Sequence, residues 1–468
     1  MGFLRDDLIA RSPDPFPVFS WLVELTHRHL NDLLFHVYYL FILALYAASC
    51  TAIADRIFPL RRDPIRAILF FALLVTAHAV PLQHAAWFLQ AGMAGQYILG
   101  PVLQPSVFGV LLIASIERFL NGKANLAVAL AAVAVAVHPS YALSAVALTL
   151  AYAYRTGISD RRPGAALRLA LLSLCLLAPT MLYAWLTFAP TSGETARRAQ
   201  EILVHFRFPH HALPAEWFGL TEIAQLALLG AGFYLVRGTA LFPILLFPAI
   251  VGLLLTLVQV VSGSDALALL FPWRVSVFLV PLSTALVIGA GIRRLLARCE
   301  KIVVRRERLI TAGAVATILL FASVGVAHFA AQSHKRGADR RGMIEFVRAS
   351  LTPGNLYLIP TRMEDFRLGT GAAVFVDYKT HPYRDADVIE WYGRLQLADS
   401  FYRAGDSSRL AELAARGVTH IVTKAGKAPL ASRDCTELYR DEDYVVHRVR
   451  GGPAHATTSD SRALARGH

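Results

Sequence analysis

Residues 33–54, LLFHVYYLFILALYAASCTAIA, form an apolar stretch of 22 residues without aspartate, glutamate, lysine or arginine. A helix needs about 20 such residues to cross the hydrocarbon core of a bilayer. The stretch therefore predicts a membrane-spanning helix. Outward from it, further apolar runs that predict spans lie at 67–81, 101–117, 124–137, 140–154, 166–187, 219–236, 239–260, 275–292 and 309–329.

The composition agrees with this prediction. Of the 468 residues, 55% are hydrophobic and only 17% are charged, whereas soluble proteins average about 25% charged residues. The predicted fold class is a polytopic α-helical membrane protein of about ten spans with a C-terminal extracytoplasmic α/β domain. The net charge of +13 does not indicate nucleic-acid binding, because the positions of the basic residues explain it.

The run from 124 to 154 is interrupted at His138–Pro139. Proline lacks a backbone donor and disfavours helix at the residue before it. Basic residues flank the run on both sides, and basic loops stay in the cytoplasm. We therefore expect two short helices, arranged as a hairpin, instead of one long crossing.

Basic residues are distributed unevenly between alternate loops. One set of loops contains 18 lysines and arginines and the opposite set contains three. The basic set comprises 55–66, 118–123, 155–168, Arg237 and 293–308. Because basic loops are cytoplasmic, this asymmetry predicts that residues 1–32 and everything after residue 330 are extracytoplasmic.

The segment 1–32 lacks the apolar core of a signal peptide. Two interpretations stay open: the segment is translocated as an extracytoplasmic tail, or the coding sequence begins further upstream and an earlier span is missing. We favour the second. The expected domains are therefore this segment, a helical membrane domain at 33–329, an α/β domain at 333–450 and a disordered tail at 451–468.

The α/β domain is predicted from alternating helical and short apolar segments. Helices are expected at 344–351, 387–402 and 408–417, and strands at 355–360, 373–378, 419–424 and 444–449. This alternation is typical of a small domain with a partly parallel sheet. Neither a GxGxxG motif nor a P-loop is present, so the sequence does not predict nucleotide binding.

Asp6 and Asp7 are adjacent carboxylates in the predicted external segment. Such a pair can supply a general base or hold a divalent metal. The alternative, a solvated charged tail, is favoured by spacing alone. The cysteines show neither zinc-ligand nor disulfide spacing, and no metal site is predicted; they are Cys50, Cys175, Cys299 and Cys435.

Several basic residues are predicted at the external face. Arg274, in FPWRV, is a candidate for binding a phosphate, with an interfacial Trp/Arg anchor as the equal alternative. His138 and His84 are candidates for contacting a phosphate or sugar, although a lone histidine is more often a local hydrogen bonder. Arg197 and Arg198 lie in the long loop 188–218, which could close over a substrate.

The densest polar stretch of the α/β domain follows the predicted strand at 373–378. Asp377, Lys379, His381 and Trp391 are candidates for ligand contacts, because α/β domains bind ligands at strand ends. Ordinary turn chemistry beside an amphipathic helix is the alternative. Sugar or lipid-headgroup binding would suit this composition.

The plan of many spans, acidic first external segment, basic cytoplasmic loops and external α/β domain resembles the GT-C superfamily of membrane glycosyltransferases. Local motifs that resemble a bacterial group within it are HPSYA (138–142), PWR (272–274) and VFVDYKTHPY (374–383). The chain departs from the plan because no span precedes its acidic segment.

The resemblance implies transfer of a sugar from a polyprenyl-phosphate-linked donor at the extracytoplasmic face of a bacterial inner membrane. Asp6 or Asp7 would then be the base, and Arg274 would bind the lipid phosphate. The implied partners are the lipid bilayer, this donor and a glycan or protein acceptor, without nucleic acid, and a divalent cation stays open as a cofactor. Two alternatives remain: a non-catalytic membrane protein that binds a glycan, lipid or protein partner, and a transporter, which the lack of an internal repeat disfavours.

Overall fold

The computed structural model describes residues 2–82, 85–335, 340–404, 408–426 and 434–450. The chain forms two compact units. The helical unit comprises Asp14–Thr187 and Leu203–Ala330, and the α/β unit comprises Met1–Pro13, Phe188–Ile202 and Ala331–His468. The disordered tail predicted at 451–468 lies outside the described residues. The expected division into membrane and external domains stays a prediction, since compactness does not reveal a bilayer.

The helical unit is built from the apolar runs predicted above. Its longer helices are Pro17–His29, Leu33–Ile57, Pro64–Ala77, Val110–Leu120, Ala124–Val137, Ala142–Tyr154, Pro163–Thr187, Leu220–Val236, Leu241–Ser262, Ser276–Arg298 and Glu307–Lys335. Among the described residues, five helical segments are long and apolar enough to cross a membrane: Leu33–Ile57, Pro163–Thr187, Leu241–Ser262, Asp265–Arg298 and Glu307–Ala331. The prediction of a helical, membrane-like architecture is therefore confirmed, whereas the predicted number of about ten spans is not confirmed.

The Ser276–Arg298 helix lies at the centre of this unit. It belongs to the segment Asp265–Arg298, in whose most apolar window 83% of the residues are buried, against 6% in the segment Glu307–Ala331. It packs on the Leu220–Val236 helix where Gly232 faces Ser283, so closely that a Cβ on Gly232 would lie 2.5 Å from the Ser283 Oγ. Small residues at such a contact let two helix backbones approach each other.

Two expectations for the helical unit are corrected. The predicted span at 101–117 is α-helical only from Val110, after a 3₁₀ turn at Pro105–Gly109, because Pro101 and Pro105 interrupt the preceding backbone. The amphipathic mixture of glutamines and aromatic residues at 82–100 predicts a segment in the membrane interface, but its described part, 85–100, contributes to the core, with Met93 and Ile98 each 1% exposed. Side chains satisfy its irregular backbone: the Gln225 Nε2 donates to the Ala91 carbonyl oxygen at 2.8 Å, and Ser276 Oγ accepts from the Met93 amide at 2.7 Å.

The α/β unit contains a five-stranded sheet in the order β2-β1-β3-β5-β4. Its strands are β1 (Leu356–Leu358), β2 (Ala373–Val374), β3 (His420–Lys424), β4 (Cys435–Arg440) and β5 (Tyr444–Val449). β1 is parallel to β2 and β3, and β5 is antiparallel to β3 and β4. The partly parallel sheet is therefore confirmed. The helices of this unit are Leu8–Arg11, Gly193–Glu201, Arg341–Ser350, Phe366–Thr370, Asp385–Ala404 and Ser408–Ala415.

Candidate functional site

Arg274 and His138 lie side by side in the helical unit. Each lies at a proline-containing break that precedes a helix. Arg274 is part of the 3₁₀ turn Pro272–Val275, and His138 is the residue directly before the 3₁₀ turn Pro139–Tyr141. The Arg274 Nη2 donates to the His138 Nε2 at 3.1 Å. The guanidinium carbon of Arg274 also lies 5.1 Å from the centre of the Tyr141 ring. Two residues proposed separately from the sequence thus form one pair.

The pair fixes the tautomer of His138. A guanidinium has donors only, so the His138 Nε2 must accept and its proton must sit on Nδ1. The Nδ1 atom lies 2.8 Å from the Ser140 Oγ, so Nδ1–H can donate a hydrogen bond to this oxygen. Phe16 closes the other side, with its ring centre 4.9 Å from that of His138. The imidazole is therefore neutral, and the positive charge of the pair belongs to Arg274.

One donor of Arg274 has no partner among the described residues. Its Nε atom is buried and forms no hydrogen bond. A buried donor left unpaired costs about 1–3 kcal/mol, and such an atom calls for a specific explanation. An acceptor supplied from outside the chain, such as a phosphate oxygen, would satisfy it and match the guanidinium geometry.

Further basic groups surround this pair. His211, in the short helix Pro209–Ala212, donates from Nδ1 to the Ala94 carbonyl oxygen at 2.6 Å. Burial lowers the pKa of His211 to about 4, opposed by this hydrogen bond and assisted by the charges of His210, Arg274 and Arg207. The charges of Arg274 and Arg207 therefore both reach His211, which is itself neutral near pH 7. Nothing in the sequence pattern had linked His210 and His211 to Arg274, because only the folded chain brings this part of the loop 188–218 close to residue 274.

Asp7 lies in the α/β unit with both carboxylate oxygens engaged. Its Oδ1 accepts from the Ile9 and Ala10 amides at 2.9 and 3.3 Å, which caps the helix Leu8–Arg11. Its Oδ2 accepts from the Arg367 Nε at 2.7 Å and the Val374 amide at 2.9 Å. Asp7 is 0% exposed, so this geometry gives it a positioning role.

Arg367 joins Asp7 to a second buried carboxylate. Its Nη1 donates to the Asp377 Oδ2 at 2.9 Å. Burial acts to lower the pKa of Arg367, but Asp7 and Asp377 outweigh it and raise that pKa. Asp6, by contrast, is partly exposed and forms no side-chain hydrogen bond within the described part of the chain. The two adjacent carboxylates therefore differ sharply in their environment.

The other candidates of the α/β unit surround one turn. Asp377 Oδ1 accepts from the Thr380 amide at 2.7 Å, and the Asp377 carbonyl oxygen accepts from the Trp391 Nε1 at 3.0 Å. Trp391 is fully buried, and the ring centre of His381 lies 6.0 Å from that of Trp391. Lys379 is exposed and pairs with Glu364 at 2.8 Å. Asp377 and Trp391 thus hold the turn, while Lys379 and His381 reach its surface.

The remaining candidates take no part in the hydrogen bonds described above. Arg197 and Arg198 are exposed on the helix Gly193–Glu201, where Arg198 pairs with Glu201 at 2.7 Å. His84 lies outside the described residues. No group of three or more histidine, cysteine, aspartate or glutamate side chains that could hold a metal ion occurs within the described ranges.

Residues 338–398 match the model of a family described as Domain of unknown function (DUF6798). The match covers the part of the α/β unit that contains Arg367, Asp377, Lys379, His381 and Trp391. No curated protein matches the chain.

Proposed function

We propose that the chain is a multi-pass membrane protein, with about ten spans, whose helical unit binds the phosphate of a lipid-linked ligand at Arg274 and His138. One observation carries this proposal: the Nε of Arg274 is buried and unpaired beside a neutral histidine. A phosphate oxygen would accept from Nε, and the positive charges of Arg274 and Arg207, which both act at His211, favour an anion.

A lipid carrier suits the surroundings of this pair. Irregular backbone at membrane depth is tolerated where protein covers it or water fills a cavity, and in this proposal the two 3₁₀ turns at the pair would line such a cavity. Together with the resemblance to GT-C enzymes, this supports a glycosyltransferase-like protein that transfers a sugar from a polyprenyl-phosphate-linked donor at the extracytoplasmic face of a bacterial inner membrane. The acceptor would be a glycan or protein.

Asp6 is the stronger candidate for the base in this proposal. Both oxygens of Asp7 are used by the chain itself, whereas a general base must be able to accept a proton from the acceptor hydroxyl. In a strain that lacks the gene, the wild-type protein should restore the envelope glycan. The Asp7→Asn variant should restore it in proportion to the amount of folded protein, and Asp6→Asn should not restore it. Mass analysis of the glycan measures this difference, and full restoration by Asp6→Asn would remove Asp6 from the base role.

The engagement of Asp7 also favours a second candidate function. Among the described residues it leaves Asp6 as the one unengaged carboxylate of the pair, and a protein of this architecture in which Asp6 is not a base would bind a glycan, lipid or protein partner without transferring a sugar. Binding of the lipid phosphate at Arg274 is common to both candidates, so only the transfer assay separates them.

Binding of radiolabelled polyprenyl phosphate to the purified full chain in detergent tests the phosphate site. Arg274→Gln should weaken binding by about ten-fold or more, because a charged hydrogen bond contributes about 1.5–3 kcal/mol. The matched control is Arg298→Gln, which removes an arginine from the far end of the following helix. Equal binding by both variants would contradict the proposal.

A further inference from the structure

A cavity of about 610 Å³ opens among helix ends of the helical unit, on the side where the basic loops lie. Four arginines but a single carboxylate line it: Arg56, Arg155, Arg162, Arg168 and Asp160. Asp160 pairs with Arg155 at 2.9 Å. The other three arginines form no ion pair among the described residues, so the lining has a clear excess of positive charge.

The backbone beside the cavity is unusual. Residues Arg155–Ser159 form a π-helical turn, and Arg161 has a φ of 56°. Non-glycine residues rarely adopt this left-handed conformation, and both features are enriched at functional sites. The helix Ala124–Val137 also begins at the cavity without a side-chain cap, and the free amides of a helix N-terminus attract anions.

One wall of the cavity is apolar. Leu169 and Leu172 contribute to it from the helix Pro163–Thr187. Only 17% of the most apolar window of this helix is buried, and its exposed leucines, such as Leu171 beside Leu172, form a surface that suits acyl chains. A free phosphate ion would use only the arginines of such a cavity, whereas a phospholipid would use the arginines and the leucines together.

We infer that this cavity binds the headgroup of an anionic phospholipid of the cytoplasmic leaflet. The phosphodiester would lie among Arg56, Arg162 and Arg168, since guanidinium groups match phosphate geometry. The glycerol and upper acyl chains would lie against Leu169 and Leu172. Basic pockets between membrane helices on the cytoplasmic side recognise lipid headgroups in this way. The site is separate from the Arg274–His138 pair and does not depend on its function.

Native mass spectrometry of the full chain in mild detergent tests this site, with dioctanoyl phosphatidylglycerol as the probe. The wild-type protein should retain this lipid at a concentration about ten-fold lower than dioctanoyl phosphatidylcholine. The Arg162→Gln/Arg168→Gln variant should lose about ten-fold or more in affinity for phosphatidylglycerol. The Arg294→Gln/Arg298→Gln variant removes two exposed arginines outside the cavity and should change that affinity less than about two-fold.

Two results would overturn the inference. Equal losses in both double variants would mean that the chain attracts anionic lipid through its general charge. Displacement of phosphatidylglycerol by an equal concentration of inorganic phosphate would mean that the cavity binds a free phosphate group and makes no use of its apolar wall. Circular dichroism of each variant separates a loss of binding from a loss of helix, and the comparison of the two lipids on the wild-type protein needs no variant.

Discussion

Asp6 and Asp7 show how far neighbouring residues can diverge in a folded chain. Spacing alone treats them as one acidic pair. In the structure Asp7 is buried by contacts with Arg367 and Val374, which lie 360 and 367 residues further along the chain. No local pattern reveals such distant partners, so the sequence could not assign different roles to the two carboxylates.

Replacement of Asp7 should therefore destabilise the α/β unit, and replacement of Asp6 should not. Asp7→Asn removes the charge that pairs with the buried Arg367, and a charged hydrogen bond contributes about 1.5–3 kcal/mol. We expect a melting temperature several degrees lower, whereas Asp6→Asn, at a surface position, should change stability by less than about 0.5 kcal/mol. Thermal unfolding in detergent measures both, and an unchanged melting temperature for Asp7→Asn would contradict its positioning role.

His420 on β3 gives the α/β unit a predicted pH dependence. Burial and the charge of Arg448 lower the pKa of His420 from 6.5 to about 4. Between these values the unfolded chain binds a proton that the folded chain does not, so stability falls as the pH decreases from about 6.5 to about 4. Melting temperatures at pH values above and below 6.5 should differ less for His420→Gln than for the wild-type protein. The control is His29→Gln, which replaces an exposed histidine and should leave the pH dependence unchanged. A pH dependence of His420→Gln equal to that of the wild-type protein would refute the role of His420.

At the scale of elements, hydrophobic pattern and proline predicted most helices. The break at His138–Pro139 separates Ala124–Val137 from Ala142–Tyr154 as expected, because proline acts locally. β4 was missed, since four of its six residues are exposed and the strand has no apolar run. The buried path of segment 82–100 was also missed, because its backbone partners Gln225 and Ser276 lie far along the chain.

Gly92 tests this buried segment. A Cβ at this position would lie 2.7 Å from both the Ser276 Oγ and the Val277 backbone nitrogen. Gly92→Ala should therefore push the segment away from the Ser276–Arg298 helix and lower the melting temperature, since overpacking costs about 1–3 kcal/mol. Gly291→Ala is the control, because a Cβ there meets no atom within 4 Å. If Gly92→Ala melts like Gly291→Ala, the close approach does not exist in solution.

At the scale of the whole molecule, composition and charge predicted a membrane protein and an orientation. The orientation is tested by single cysteines in a cysteine-free background, labelled in intact cells with a membrane-impermeant maleimide. Lys123→Cys lies in a predicted cytoplasmic loop and should stay unlabelled, whereas Ser264→Cys lies in a predicted external loop and should react. The opposite result would invert the predicted topology.

Part of the candidate site was also predictable from the sequence. Arg274 and His138 stood out because both lie near a proline in a break between apolar runs: Arg274 shortly follows Pro272, and His138 directly precedes Pro139. Their pairing was not predictable, since 136 residues separate them and only the packing of the helices joins the two breaks. The unpaired Nε of Arg274 is likewise a property of the folded unit.

The central claim is that a lipid phosphate binds at Arg274. Single-particle cryo-electron microscopy of the full chain, in nanodiscs that contain polyprenyl phosphate, tests it most directly. The account predicts phosphate density within hydrogen-bonding distance of the Arg274 Nε, while Nη2 stays on the His138 Nε2. An Nε that contacts a protein acceptor, or a site without density at saturating lipid, would contradict it.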